Sequence, residues 1–327
     1  MKANTSVLLR KGYVTGIFSG MTWGLDTVLI GVAMVMTPFV ENPVLLIGGT
    51  FVCSMLHDAF AALWMLIIMG FKGRLKELLP AVWSKDGLFC VLGALFGGPL
   101  AMTFYMLAIA KGGAALTATV TACYPLLGSA MAMVILKEKI RMRGWFGLLI
   151  CILGIIYIGY TPENETGNHV IGGITLAAVA AIGWATEGVV CGYGMKGGNI
   201  DPYMALLIRE LTSGIAYILI VVPIMVGGYD CMAEGTIAVF SHVSCLLTMF
   251  FTALIGMISF FSWYTAIDLI GAAKALCLNV TYSFWAVVFT FLFVGSVLSA
   301  NIIIGSVMVI SGVAVATLVS RKSKNKI

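Results

Sequence analysis

Four carboxylic acids stand inside stretches of sequence that are otherwise apolar: Asp26, Asp58, Glu187 and Glu210. Two of them follow a tryptophan by three residues, in Trp23-Gly-Leu-Asp26 and Trp184-Ala-Thr-Glu187. Residues three apart on a helix share a face, so indole and carboxylate look into the same space. The other two sit beside a basic residue, in His57-Asp58 and Arg209-Glu210. Arg209 is the fixed positive charge at that depth, so acids outnumber it four to one. Protons or a cationic solute would fill the deficit. The rings of Trp23, Trp184, Tyr124 and Tyr282 lie in the same stretches, as do Tyr105, Trp263, Tyr264 and Trp285. A ring face attracts a cation by ~2 kcal/mol or more once both are desolvated, and cages of such rings suit quaternary ammonium groups. Such a head group has no hydrogen to donate, so rings plus a carboxylate complement it.

The medium around these residues follows from composition. Of 327 residues, 61% are hydrophobic and 10% charged, with a mean hydropathy of +1.05. A soluble domain of this length could not hide so much apolar surface, so the solvent is lipid. Crossing the hydrocarbon takes ~20 apolar residues. Runs of that order predict ten helices, near 13–36, 44–70, 87–110, 113–136, 143–160, 170–195, 203–227, 243–268, 272–295 and 299–319. They do not alternate as barrel strands would. The first is too long for the apolar region of a signal peptide and stays as a helix. The fold class expected is an all-α polytopic membrane protein.

Charge sets the orientation. With the N-terminus inside, seventeen of the nineteen Lys and Arg fall in inner segments and Lys111 in an outer one, which favours both termini in the cytoplasm of a plasma-membrane protein. The net charge of +5 is therefore a topology signal, and no nucleic-acid partner is expected. The eight cysteines form no CxxC pair, and neither a disulfide framework, a metal site nor a cofactor is expected.

The sequence also repeats. At a shift of 161, Trp23 falls on Trp184, Asp26 on Glu187 and Gly31 on Gly192. At 152, His57-Asp58 falls on Arg209-Glu210; at 158, Gly113-Ala-Ala115 falls on Gly271-Ala-Ala273, Tyr124 on Tyr282, Gly147 on Gly305 and Gly154 on Gly312. Two five-helix halves result, 1–160 and 161–327. Five is odd, so the second half enters from the opposite side. Inverted repeats of this kind place a solute site near the bilayer midplane, between the halves.

A charge at the bilayer centre costs ~2.5 kcal/mol or more, so intramembrane acids face the protein interior and find a partner or a proton. Asp58 and Arg209 admit two readings, a structural ion pair between the second and seventh helices or a gating and coupling pair. His57 reads as a hydrogen-bonded interior histidine or as a proton relay. Asn279 reads as an interhelical hydrogen-bonding residue or a ligand contact. Pro99 after Gly97-Gly98, and Pro125 after Tyr124, interrupt the third and fourth helices.

Certain segments resemble the drug/metabolite transporter superfamily, in its EamA-type branch: Trp23-Gly24, Gly98-Pro99-Leu-Ala-Met102, Tyr124-Pro125, Leu136-Lys137-Glu138-Lys139-Ile140 and Gly183-Trp184-x-x-Glu187. Within it, His57-Asp58, Ala181-Ile-Gly-Trp184-Ala-Thr-Glu187, Leu206-Leu-Ile-Arg209 and Asn279-Val-Thr-Tyr282-Ser283 look most like the LicB-type choline transporters. The resemblance spans nearly the whole chain. It implies proton-coupled uptake of choline or a similar quaternary amine by alternating access. The chain is expected as a monomer or homodimer. Trp23, Trp184, Glu187 and Tyr282 would hold the trimethylammonium group, with Asp58 and Arg209 shaping or coupling the site. Our own reading of the residues adds Asp26, Tyr124, Tyr264 and Asn279 to the substrate contacts, and His57 and Glu210 to the coupling group. Export of amino acids or other metabolites is the alternative, with Arg209 as the carboxylate's partner. A membrane sensor without solute flux is a third, and no nucleophile–base pair suggests an enzyme.

Overall fold

The computed structural model describes residues 2–159, 169–295 and 300–317, and every regular element among them is helical. In a hydrocarbon medium each backbone N–H and C=O must be satisfied within its own segment, which a helix achieves. The bundle comprises α1 (Lys2–Met34), α2 (Pro43–Phe71), α3 (Lys85–Gly112), α4 (Leu116–Leu136) and α5 (Met142–Gly159). It continues with α6 (His169–Met195), α7 (Pro202–Val226), α8 (Val243–Ile270), α9 (Ala272–Phe293) and α10 (Ala300–Thr317). Among the described residues nine of these are long and apolar enough to cross a membrane. The tenth, α5, has a shorter apolar run, Met142–Ile158, and packs along α10. Most expected spans agree with these helices to within a few residues. The exception is α1, which starts at Lys2, because no Pro interrupts the polar turns before the apolar run and Gly12 is accommodated within the helix. Position 160 of the fifth expected span, and 299 and 318–319 of the tenth, lie outside the described residues.

Packing follows the repeat. α1 lies on α8 and α9; α6 lies on α3 and α4; α2 pairs with α7, and α5 with α10. Adding five to each helix number, cyclically, maps this set of pairs onto itself, so the two halves are related by a pseudo-twofold axis. The same axis relates local details. Gly113 (φ +80) and Gly271 (φ +88) turn the chain between α3 and α4 and between α8 and α9, in a region that L side chains avoid. α4 is interrupted at 122–123 and α9 at 280–281, each just before a matched tyrosine, Tyr124 or Tyr282. Where α5 meets α10, Gly147 faces Gly312 and Gly154 faces Gly305, so the backbones touch.

Caps and breaks fix where each helix begins. Asn42 accepts hydrogen bonds from the Val44 and Leu45 N–H groups at the head of α2, and Asp201 does the same for Met204 at the head of α7. Within α3, Phe96–Leu100 widens to a π-turn around Pro99, and Tyr217–Val221 does so in α7. After the bulge in α3, Met102, Tyr105 and Met106 line the central cavity.

Candidate functional site

The two Trp-x-x-acid motifs, on α1 and α6, meet at a central cavity of about 230 Å³. Its wall includes Trp23, Asp26, His57, Asp58, Tyr124 and Trp184, and beyond them Glu187, Arg209, Asn279 and Tyr282. Tyr264 and Glu210 do not line it. Both are fully buried one layer behind, where the Tyr264 hydroxyl donates to Glu187 Oε1 (3.1 Å) and Arg209 Nη1 donates to Glu210 Oε2 (2.8 Å). Of the remaining rings, Tyr105 and Trp263 line the cavity and Trp285 does not.

Two buried acid–base contacts define its chemistry. Arg209 Nε donates to Glu187 Oε1 at 3.1 Å, and His57 Nε2 lies 3.0 Å from Asp26 Oδ1. The repeat superposes these pairs: Glu187 matches Asp26, and Arg209 matches His57. Asp58 stands between them. Its Oδ1 is 3.3 Å from His57 Nδ1 and its Oδ2 is 3.3 Å from Arg209 Nη1, with the Ser213 hydroxyl donating to the same Oδ2. Both earlier readings of Asp58 start from this contact, which joins α2 to α7. The Arg209 guanidinium also lies over the Phe260 ring, 4.0 Å from its centroid. Its charge is thus shared among three carboxylates and a ring face. Isolated buried charges are costly, and pairing offsets much of that cost.

Glycines let the acids in. A side chain at Gly97 would collide with the Glu187 carboxylate, and one at Gly256 with the His57 ring and, at 3.0 Å, Asp26 Oδ1. α3 and α8, the helices that carry these glycines, are images under the repeat.

Rings surround the acids in two matched groups. Trp23 packs on Tyr282 (centroids 6.1 Å apart) and on Phe260 (4.9 Å); Trp184 packs on Tyr124 (6.0 Å) and on Tyr105 (5.1 Å). Asn279 ties the groups together. Its Oδ1 accepts from the Tyr124 hydroxyl at 2.9 Å and its Nδ2 donates to Ser19 Oγ at 2.9 Å. Phe260 escaped the sequence reading, because α8 is apolar on every side and no periodicity singles out one phenylalanine. The repeat contains a clue: at a shift of 158, Met102 falls on Phe260, and both line the cavity.

The cavity is open toward one end. Its wall runs outward to Met34 on α1, Thr50 on α2 and Met106 on α3, away from the face that carries the basic loops. Toward that basic face the bundle is shut. Met65, Met69, Met195 and Met204 form a buried apolar plug. Beyond them, polar links join the halves. Arg74 Nη1 meets Asp201 Oδ2 at 2.7 Å, Asn199 Nδ2 donates to Asp86 Oδ2 at 2.8 Å, and Lys196 Nζ donates to the Leu136 carbonyl at 3.1 Å. Hydrogen bonds from Arg74 to Asp201 and Glu77 hold the arginine's proton more firmly than usual. The carboxylate of Glu138 accepts from the Ala272 and Ala273 N–H groups, at 2.8 and 3.1 Å, and so caps α9 from the opposite half.

A two-half helical bundle with a largely aromatic chamber that holds buried acids at its centre, closed at one end, fits the architecture of a solute carrier. A solved crystal structure shares this fold, with a TM-score of 0.67 at 14% identity, over 94% of this chain and 97% of that one. Protein LicB of Haemophilus influenzae is 26% identical over 277 residues, which is 85% of this chain and 87% of that protein. The description "EamA-like transporter family" fits the sequence twice, over residues 10–160 and again over 171–318. The chain is a multi-pass membrane transporter and belongs to the EamA-like transporter family.

Proposed function

We propose that this transporter imports choline, or a quaternary ammonium compound close to it, across the plasma membrane, coupled to protons and by alternating access. The observation that carries the reading is the chamber itself, in which aromatic rings and carboxylates from both halves surround one small cavity. At 230 Å³ it is smaller than the roughly 300–1,000 Å³ of drug-sized ligand sites, which suits a metabolite of a few heavy atoms. The Trp23 and Trp184 rings supply faces for a trimethylammonium group, and Glu187 and Asp26 supply the opposite charge. The basic face is cytoplasmic on the charge distribution, so the cavity opens to the outside and Arg74, Asp86 and Glu138 hold the inner end closed.

A zwitterion such as an amino acid fits less well. Its carboxylate needs a cation, and the one guanidinium of Arg209 is already shared among three carboxylates, Glu187, Glu210 and Asp58, so acids outnumber bases and the network favours a cation over an added carboxylate. Purified protein in liposomes decides between the readings. Uptake of radiolabelled choline that unlabelled choline suppresses, and that alanine, glutamate and betaine do not, is the expected result. Flux of amino acids without choline flux removes the proposal.

A further inference from the structure

We propose that the proton which drives transport is carried by the imidazole of His57, clamped between Asp26 and Asp58, an assignment that rests on the transport reading above. Both ring nitrogens face carboxylate oxygens, Nε2 to Asp26 Oδ1 at 3.0 Å and Nδ1 to Asp58 Oδ1 at 3.3 Å. A neutral imidazole has one N–H and one lone pair, whereas the imidazolium donates from both nitrogens. With ionised carboxylates on both sides, only the imidazolium satisfies this geometry. The site is built for the ring: glycine at position 256 leaves the space that His57 Nε2 and Asp26 occupy.

The repeat then separates two jobs. The residue matched to His57 is Arg209, which does not give up its proton in proteins. One half therefore holds a permanent cation against its acid, and the other holds a cation that can be switched off. Of all side chains, histidine is the one whose ordinary titration falls between pH 5 and 8. His57 lines the cavity, so water there reaches it. Its surroundings are Asp26 from α1, Cys53 and Asp58 on its own helix, and Arg209 with Glu210 beyond Asp58 on α7. From α8, Gly256 lies against the ring, and Met249 and Thr252 line a small pocket beside it, none of them charged.

The step is a simple proton transfer. With the cavity open outward, neutral His57 takes a proton from water onto its free ring nitrogen; once the bundle reopens toward the basic face, the imidazolium gives that proton to water there. Asp58 passes on the change, since it touches both cations. When His57 is neutral, the Asp58 carboxylate turns fully to Arg209, and Arg209 loosens from Glu187.

Two measurements test the assignment. In choline-loaded gradients across proteoliposomes, the steady-state accumulation ratio of wild-type protein should rise about tenfold per pH unit for one proton per choline. In His57→Gln and His57→Arg the ratio should fall to equilibration, whatever rate remains. Accumulation in His57→Gln that follows the pH gradient as wild type does overturns the assignment. Should neither variant be active, nitrogen-15 NMR of wild-type protein, with His169 and His242 replaced to isolate the signal, reads the ring directly. A ring that passes from one protonated nitrogen to two as the pH is lowered across the working range supports the assignment, and a ring whose protonation does not change with pH overturns it. Wild-type protein that moves no choline would sink the transport reading, while the NMR result would still decide the proton's place. Accumulation driven by sodium and indifferent to pH would do the reverse.

Discussion

Asp26 Oδ1 lies 3.0 Å from His57 Nε2, and this contact is the repeat image of the 3.1 Å contact between Glu187 Oε1 and Arg209 Nε. Both halves hold an acid–base pair at matched positions, with a basic residue that can titrate in one and a permanent cation in the other. The two pairs are joined by Asp58, so they form one buried network that reaches from α1 to α8 through Tyr264. A change at either end is felt at the other.

The network's weakest substitution is its only permanent cation. Arg209→Met would leave Glu187, Glu210 and Asp58 without it, and removing one partner of a buried pair typically costs about 3–5 kcal/mol. Thermal denaturation in detergent should show a large loss of stability. Adding Glu210→Gln to Arg209→Met should recover part of it, because one fewer charge is stranded. Equal stability of Arg209→Met and wild type would contradict the geometry.

The rings should matter for affinity more than for folding. Replacing Trp184 by Leu keeps much of the apolar surface and removes the ring face, worth ~2 kcal/mol to a desolvated cation, or about thirtyfold in choline Kd. Trp23→Leu should act alike, as its repeat image. Isothermal titration with choline checks both. A Trp184→Leu protein that binds choline as wild type does would place the head group elsewhere.

Gly97 and Gly93 offer a controlled comparison on one face of α3. A methyl at Gly97 would strike the Glu187 carboxylate; one at Gly93 would meet the Cys191 thiol and only the backbone carbonyl of Glu187. Overpacking of this kind costs typically 1–3 kcal/mol in either place. Gly97→Ala should also weaken choline binding, since it moves a charged contact, whereas Gly93→Ala should lower only the melting temperature. Paired melting and binding curves separate the two effects.

The inner closure rests partly on Arg74 and Asp201, which are 2.7 Å apart on opposite halves and partly exposed. An exposed pair contributes roughly 0.2–1 kcal/mol, so Arg74→Ala should raise the population open to the basic face by about fivefold at most. Single cysteines placed near Met69 or Met204 should then label faster from that face. Exchanging the two charges, as Arg74→Asp with Asp201→Arg, should restore slow labelling. Unchanged labelling in Arg74→Ala would leave the methionine plug as the whole of the barrier.

Much of this was readable from the chain because lipid is an unforgiving solvent. Helix number and the inward direction of Asp26, Asp58, Glu187 and Glu210 follow from the cost of polar groups in hydrocarbon, and the repeat shows in matched residues such as Trp23 and Trp184. What stayed hidden depends on which neighbours meet across the bundle. Nothing in the sequence says that His57 reaches Asp26 as well as its neighbour Asp58, or that Tyr264 stands behind Glu187 instead of facing the cavity. Phe260 looked like any core phenylalanine. The residues that shut the basic face are ordinary loop residues, and Arg74 and Asp201 lie 127 positions apart. The broken turns in α4 and α9 were half visible, since Pro125 marks the first but no proline marks the second.

The account turns on Glu187 as the anion that meets the substrate's positive charge. The measurement that addresses this most directly is choline binding and uptake by Glu187→Gln in proteoliposomes, beside wild-type protein reconstituted at equal density. Glutamine keeps the shape and a carbonyl oxygen for Tyr264 and Arg209, so folding should survive while choline binding and uptake fall sharply. Wild-type binding and transport by this variant, in correctly folded protein, would contradict the account.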